Sequence, residues 1–114
     1  MAGQLKIDID SGAHPGRRIL RLTGRVSIET VPEFLKVLRA EKASVVILDL
    51  GQLSYVDSAG VGALIQMHVA FQKSGQLLVL VAVGPRVAAV LEIARVKSIF
   101  RTFPSVEAAE EGLG

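Results

Sequence analysis

The chain has 114 residues, a formal net charge of +2, half of its residues apolar and no cysteine. A chain of this length is expected to form one domain over residues 1–114, and the lack of thiols excludes disulfides, thiolate metal sites and cysteine catalysis. The longest apolar run, Leu77–Gly84, is far shorter than the ~20 residues of a membrane-spanning helix, and one tyrosine without tryptophan or a basic helix argues against nucleic-acid binding. Since Met1–Lys6 lacks the apolar core of a secretion signal, we expect a soluble, cytoplasmic protein without membrane insertion.

The first third of the chain predicts two strands and a helix. The strands are expected at Gln4–Ile9 and Arg18–Thr23, joined by a loop rich in turn-forming residues. Thr30 and Glu33 have the spacing of a capping box, which predicts a helix from there to about Lys42. Its apolar stripe has helical spacing and comprises Val31, Phe34, Leu35 and Leu38.

The rest of the chain alternates apolar strands with helices. The predicted elements are strand Val45–Leu50, helix Ser58–Lys73 stopped by Gly75, strand Leu77–Val83, a helix opened by Pro85, an extended segment Ile99–Phe103, and a last helix from Pro104-Ser105. This order predicts an α/β fold with a mixed sheet of four to five strands, covered by about four helices and joined by right-handed crossovers.

Buried faces follow from helical spacing. The inward residues are expected to be Val61, Leu64, Ile65 and Phe71 in the second helix, and Val87, Val90, Leu91 and Ala94 in the third. His68 lies close to the inward face and has no second histidine or carboxylate three or four residues away, so it is expected to be a packed core histidine and not a metal ligand.

Four arginines concentrate positive charge around the second predicted strand: Arg17, Arg18, Arg21 and Arg25. Two interpretations are open. They form either a contact for an acidic partner or, more commonly, a solvated strand edge that discourages edge pairing.

The most informative segment is Asp49–Leu64, which reads DLGQLSYVDSAGVGAL. Here Ser58 follows Asp57 directly at the start of a helix, where the first N–H groups lack partners and the helix dipole is positive. Gly60 and Gly62 keep the first turn of this helix without side chains. Two interpretations are open. In the first, the bare helix turn lets another molecule approach closely. In the second, the glycines let the helix pack closely on the sheet, and Asp57 or Ser58 is simply the N-cap.

Enzyme motifs do not fit this segment. A nucleophile elbow requires glycine two residues before the serine, where this chain has Val56, and a phosphate loop requires Lys and Ser/Thr after Gly62, where it has Ala63 and Leu64. The nearby hydroxyls of Ser54 and Tyr55 are not at a helix N-terminus and rank below Ser58 as modification sites. We therefore expect no catalytic residues and no cofactor.

The run LDLGQLSYVDSAGVGALIQMH resembles the signature of the STAS family, the sulfate transporter and anti-sigma-factor antagonist domains. Further segments that resemble the family are Leu22–Val26, Gly75–Leu80, Val83–Val87 and Ile99–Phe103. The chain departs from the family pattern at two positions: Ser27, where members often carry an aspartate, and Ala59, where they often carry a serine.

The resemblance implies an anti-sigma factor antagonist, a regulator of transcription that works by partner switching. Ser58 would be phosphorylated by an anti-sigma factor that is also an ATP-using serine kinase; the unphosphorylated protein would bind that kinase and release a sigma factor, and a phosphatase would reset the cycle. The implied partner-binding residues are Asp57, Ser58, Ala59, Gly60, Val61, Gly62, Ser27 and Thr30. Two alternatives remain: an accessory subunit of a lipid-transport ABC system that binds its ATPase, and a small-ligand or nucleotide sensor.

Overall fold

A computed structural model describes residues 4–114, so the predicted domain start and the segment Met1–Gly3 lie outside the described residues. The strands are β1 (Leu5–Ser11), β2 (Arg17–Val26), β3 (Val45–Val56), β4 (Leu77–Val81) and β5 (Arg101–Phe103). The helices are α1 (Val31–Ala40), α2 (Ser58–Lys73), α3 (Pro85–Ile93) and α4 (Val106–Leu113), with a 3₁₀ turn at Lys97–Ile99.

The strands form one mixed sheet in the order β1-β2-β3-β4-β5. β1 pairs with β2 antiparallel, and the remaining neighbours are parallel. The predicted α/β class with four to five strands and about four helices is confirmed, since residues 4–114 form five strands and four α-helices. Because β2, β3 and β4 are parallel, the loops that follow them all leave from the carboxyl ends of the strands. Asp57 is in one of those loops.

Strand residues alternate between two cores. Leu20, Leu48 and Leu80 are fully buried beneath α1, α2 and α3, whereas Ile47 and Val79 are fully buried on the opposite face, beneath α4. Each such side chain stabilises the fold by roughly 1.5–3 kcal/mol. The helix residues of the first core are Phe34, Leu38, Val61, Ala63, Leu64, Met67, Phe71, Val87 and Leu91.

Several predicted local features are wrong. The predicted capping box at Thr30 does not form, because the Thr30 hydroxyl bonds within the preceding turn instead of the helix. β3 continues past Leu50 to Val56, since its second half pairs with the far end of β2. β4 ends at Val81, and Ile99 belongs to a 3₁₀ turn before β5.

The ends of α2 and α3 use the same hydrogen-bond pattern with different residues. After α2, Gln76 N–H donates to the Phe71 carbonyl and Gly75 takes the left-handed conformation, as the predicted glycine stop requires. After α3, Val96 N–H donates to the Leu91 carbonyl, and the left-handed position is held by Arg95. The C-terminal end of α3 thus lacks the glycine that marks the C-terminal end of α2.

The four arginines are engaged within the chain. The strand-edge interpretation is wrong, because β2 lies between β1 and β3 in the sheet. Contact with an acidic partner stays a prediction, since Arg18 and Arg21 remain 44 % and 43 % exposed beside their partners within the chain. Arg17 donates to Glu110 of α4 at 2.7 Å, Arg18 and Arg21 lie within 3.7 Å of carboxylates, and Arg25 stacks 4.5 Å from the Tyr55 ring.

The Arg17–Glu110 pair ties α4 to the β1–β2 turn. Burial raises the pKa of Glu110, but the N–H of Ala13 and the guanidinium of Arg17 bond its carboxylate and outweigh burial, so the pKa lies below the ordinary value of 4.5.

Within residues 4–114, no helix is both long and apolar enough to cross a bilayer.

Candidate functional site

The site is built where β3 ends and α2 begins. Asp57 is the N-cap of α2, in extended conformation, and its Oδ1 accepts from the Gly60 N–H at 2.8 Å. Ser58 is the first helical residue and is exposed. Since Asp57 makes the capping bond, the hydroxyl of Ser58 is not required for the helix start and is open to chemistry.

Asp57 also joins this helix to the loop between β2 and α1. Its Oδ2 accepts from the Ile28 N–H at 3.0 Å, and its own N–H donates to the Val26 carbonyl at 3.3 Å. One carboxylate therefore fixes two chain segments against each other. The loop is held beside the start of α2 as part of the same surface.

Ser27 and Thr30 support that loop from beneath. Ser27 is 4 % exposed and Thr30 is 5 % exposed. The Thr30 hydroxyl accepts a hydrogen bond from the Ser27 N–H and donates one to the Arg25 carbonyl. Among the described residues, the Ser27 hydroxyl oxygen is buried without a hydrogen-bond partner. A partner cannot reach these two side chains in this conformation; their contribution is to present Ile28, which is 73 % exposed. Ile28 is not among the site residues predicted from the sequence.

The two glycines of α2 have different roles. A Cβ on Gly60 would overlap the Val26 carbonyl oxygen and lie 3.0 Å from the Val56 side chain, so Gly60 is buried for close packing of α2 on β2. Interpreting Gly60 as a bare docking position is wrong. Gly62 is exposed, and a Cβ there would meet nothing within 4 Å.

Between α2 and α3 lies an open groove of about 340 Å³, here called the Ser58 groove. Its lining residues are Ser58, Val61, Gly62, Ile65, Val90, Ile93 and Ala94. Apart from Ser58, all of them are apolar or glycine. Ile93 is 83 % exposed, an unusual position for a large aliphatic side chain.

The predicted helix that Pro85 opens is found as α3, but the predicted exposure of its residues is wrong at several positions. Ala94, predicted to be buried, caps the helix and is exposed, and Val90 is only partly buried. Ile93, which was not singled out, is the most exposed large apolar side chain of the described residues. The signal available in the sequence was that isoleucine stands beside the predicted buried stripe instead of within it.

The remaining predicted site residues are also placed. Ala59 is partly buried and Val61 is 5 % exposed, so of the predicted set Ser58 and Gly62 are the exposed members. His68 is half-buried and meets Phe100 edge-to-face, with ring centroids 5.4 Å apart, so it packs at the core's margin and not inside it. Among residues 4–114, no group of three potential metal-ligating side chains is present.

Comparison with known proteins decides the family. The STAS domain model matches residues 8–109, which include both the Ser58 groove and the loop that presents Ile28. The chain belongs to the STAS domain family. The predicted family resemblance is thereby confirmed.

Solved structures share this fold at low sequence identity. An anti-sigma factor antagonist from Mycobacterium paratuberculosis is 16 % identical, with a TM-score of 0.82 over 98 % of this chain and 97 % of that one. A sulfate transporter family protein from Wolinella succinogenes is 22 % identical (TM-score 0.76; 85 % and 84 % covered). The Bacillus cell fate determinant SpoIIAA, solved in its phosphorylated form, is 15 % identical (TM-score 0.71; 94 % and 99 % covered).

Proposed function

We propose that this STAS domain is an anti-sigma factor antagonist whose binding to a partner is switched by phosphorylation of Ser58. The partner is an anti-sigma factor that is also an ATP-using serine kinase, and a phosphatase removes the phosphate. In this proposal the chain is a substrate and a switch, not a catalyst, and it acts in the cytoplasm, where the kinase has ATP.

The observation that carries the proposal is the position of Ser58. It is exposed at the first turn of α2, the cap is already made by Asp57, and the adjoining Ser58 groove carries no charged side chain. A kinase can therefore reach the hydroxyl without unfolding the helix, and a partner that fills the groove must pass next to it. Relatives of this fold include a phosphorylated protein and an anti-sigma factor antagonist, which supports the same conclusion.

A phosphate at Ser58 is tolerated by the fold but opposes docking. It adds a charge of about −1.5 to −2, which the free N–H groups and the dipole at the start of α2 accommodate. For the partner the effect is the opposite, because the phosphate stands beside the Asp57 carboxylate and must be desolvated against apolar groove walls. A penalty of even ~3 kcal/mol weakens binding more than 100-fold.

Ile28 and Ile93 give the partner its apolar contacts. These two exposed isoleucines lie on the loop held by Asp57 and on the wall of the Ser58 groove. Exposed apolar side chains next to a modifiable residue are suited to a contact that must form and release. We expect the partner to cover both.

The binding test compares Ser58→Ala with Ser58→Glu in affinity capture of partners, followed by titration of the purified partner. Ser58→Ala should bind as tightly as the parent, and Ser58→Glu at least tenfold more weakly. Ser44→Glu is the matched control, because it makes the same change on an exposed residue next to the opposite end of β3. Equal affinity of the Ala and Glu variants contradicts the switch.

The same experiment separates the alternatives. A constitutive accessory subunit of a lipid-transport ABC system would capture a transporter ATPase, without an anti-sigma factor kinase among the captured proteins. A nucleotide sensor is disfavoured by the Ser58 groove itself, because its lining offers no basic side chain for a phosphate. Thermal stabilisation by millimolar nucleotide would reverse that judgement.

A further inference from the structure

A second surface lies at the open edge of the sheet, on β1. Among residues 4–114, β1 is the terminal strand of the sheet and pairs with β2 alone. The Gln4 carbonyl accepts from Arg25, so the even-numbered residues turn their backbone groups toward β2. Leu5, Ile7 and Ile9 therefore direct their N–H and C=O groups outward, where another strand can add.

We propose that β1 pairs antiparallel with β1 of a second copy of this chain, about a two-fold axis at Ile7. This register places Lys6 of each chain opposite Asp8 of the other, so the contact has two opposite-charge pairs. Because paired strands must bring outward backbone groups together, each such two-fold axis passes through a residue. An axis at Lys6 places lysine on lysine, an axis at Asp8 places aspartate on aspartate although it also pairs Lys6 with Asp10, and an axis at Ile9 places Asp8 on Asp10. An axis at Leu5 forms no opposite-charge pair. Of the axes from Leu5 to Ile9, the one at Ile7 alone forms opposite-charge pairs without a like-charge contact.

The side chains of β1 are free to make this contact. Those of Lys6 and Asp8 are 73 % and 53 % exposed, and their 3.9 Å pairing within one strand is a weak surface contact. On the other face, Leu5 and Ile7 pack on the core, whereas Ile9 is 45 % exposed. In the proposed register Ile9 is covered by Leu5 of the second copy.

The same charges discourage other strands. An edge carrying exposed Lys6, Asp8 and Asp10 is unfavourable for an arbitrary strand, but it is complementary to itself in one register. A contact limited to one strand of each copy buries little surface, so the dimer should be weak and should depend on protein concentration. It does not rely on Ser58 and is independent of the proposed function.

Sedimentation equilibrium tests the pairing. The parent mass should rise from 12.1 kDa toward twice that value as concentration increases. Lys6→Glu and Asp8→Lys should each dimerise at least tenfold more weakly, since like charges then face each other. An equimolar mixture of these two variants should recover dimer, because every facing pair is again opposite in charge. Lys73→Glu, an equal charge change on exposed α2, should behave as the parent.

Cysteine cross-linking tests the register, because the natural chain has no cysteine. In a mixture of Lys6→Cys and Asp8→Cys proteins, the mixed dimer places the two cysteines opposite each other at about 4.5 Å between Cα atoms and keeps one Lys6–Asp8 pair. The mixture should form disulfide dimer well above the level of either variant alone. A parent that stays at 12.1 kDa up to millimolar concentration overturns the proposal, as does a dimer insensitive to both charge reversals.

Discussion

Gly60 and Gly62 offer the clearest test of how α2 is seated, because they are two residues apart and differ in what surrounds them. Alanine at either position removes the helix cost of glycine, a gain of about 1 kcal/mol in the free energy of unfolding. At Gly62 the new Cβ meets nothing within 4 Å, so only this gain remains. At Gly60 the Cβ overlaps the Val26 carbonyl, which is backbone and cannot rotate away.

The expected loss at Gly60 follows from the contacts. Overpacking costs about 1–3 kcal/mol, and moving α2 outward also weakens the 3.3 Å hydrogen bond from Asp57 N–H to Val26, worth about 1 kcal/mol. After the helix gain is subtracted, Gly60→Ala should be about 2 kcal/mol less stable than the parent. Its melting temperature should fall by about 8 °C, at about 4 °C per kcal/mol.

Urea unfolding of parent, Gly60→Ala and Gly62→Ala gives the three free energies directly. We expect Gly62→Ala to be more stable than the parent and Gly60→Ala less stable, with similar slopes against denaturant. If Gly60→Ala is as stable as the parent, α2 does not rest on Val26 in the way described, and the account of this helix is refuted.

Three further predictions address the site and α4. Ile93→Ser should weaken partner binding at least tenfold and leave the free energy of unfolding within about 0.5 kcal/mol of the parent. Ala89→Ser, which is exposed on the same helix outside the groove, should change neither binding nor stability. Calorimetric titration measures the affinities, and an unchanged affinity of Ile93→Ser removes Ile93 from the contact. Asp57→Ala should lose about 1–2 kcal/mol of stability in urea, since it removes the cap of α2 and its bond to the loop, and a loss near zero contradicts the capping role. Glu110 has a pKa lowered in the folded state, so its stabilisation is present above pH 4.5 and is lost as pH falls through the folded pKa. Glu110→Gln should therefore be less stable than the parent at neutral pH, with a flatter decline in acid, and parallel acid unfolding curves would contradict the Arg17–Glu110 contact.

The sequence was sufficient to predict elements whose signal is local. The apolar strand from Val45, the start of α2 at Ser58 and its glycine stop at Gly75 depend on residues adjacent in the chain, and each is found as predicted. The end of β3 was mispredicted because residues 51–56 contain exposed and turn-forming types, and only pairing with the far half of β2 makes them a strand. The end of α3 carries Arg95 in a conformation that usually marks glycine.

The candidate site divides in the same way. A helix start at Asp57-Ser58 could be predicted from the Asp-Ser pair, which is a local pattern, whereas the structure was needed to show that Asp57 and not Ser58 is the cap. The exposure of Ile28 and Ile93 could not be predicted, because it depends on tertiary contacts. Ile28 lies on the loop that the Asp57 carboxylate holds, and Ile93 lies on the wall of the groove between α2 and α3. Whether a glycine serves docking or packing likewise needs the neighbouring strand.

The central claim is that phosphate at Ser58 ends a contact made at the Ser58 groove. Its most direct test is to assemble the unphosphorylated chain with its captured kinase partner, add ATP, and follow both complex dissociation and the phosphorylated residue by mass spectrometry. We predict one phosphate, on Ser58, appearing in step with dissociation, while Ser58→Ala stays bound throughout. Phosphate on Ser54, Ser27 or Thr30 with Ser58 unmodified, or a complex that persists once Ser58 is fully phosphorylated, would contradict the account.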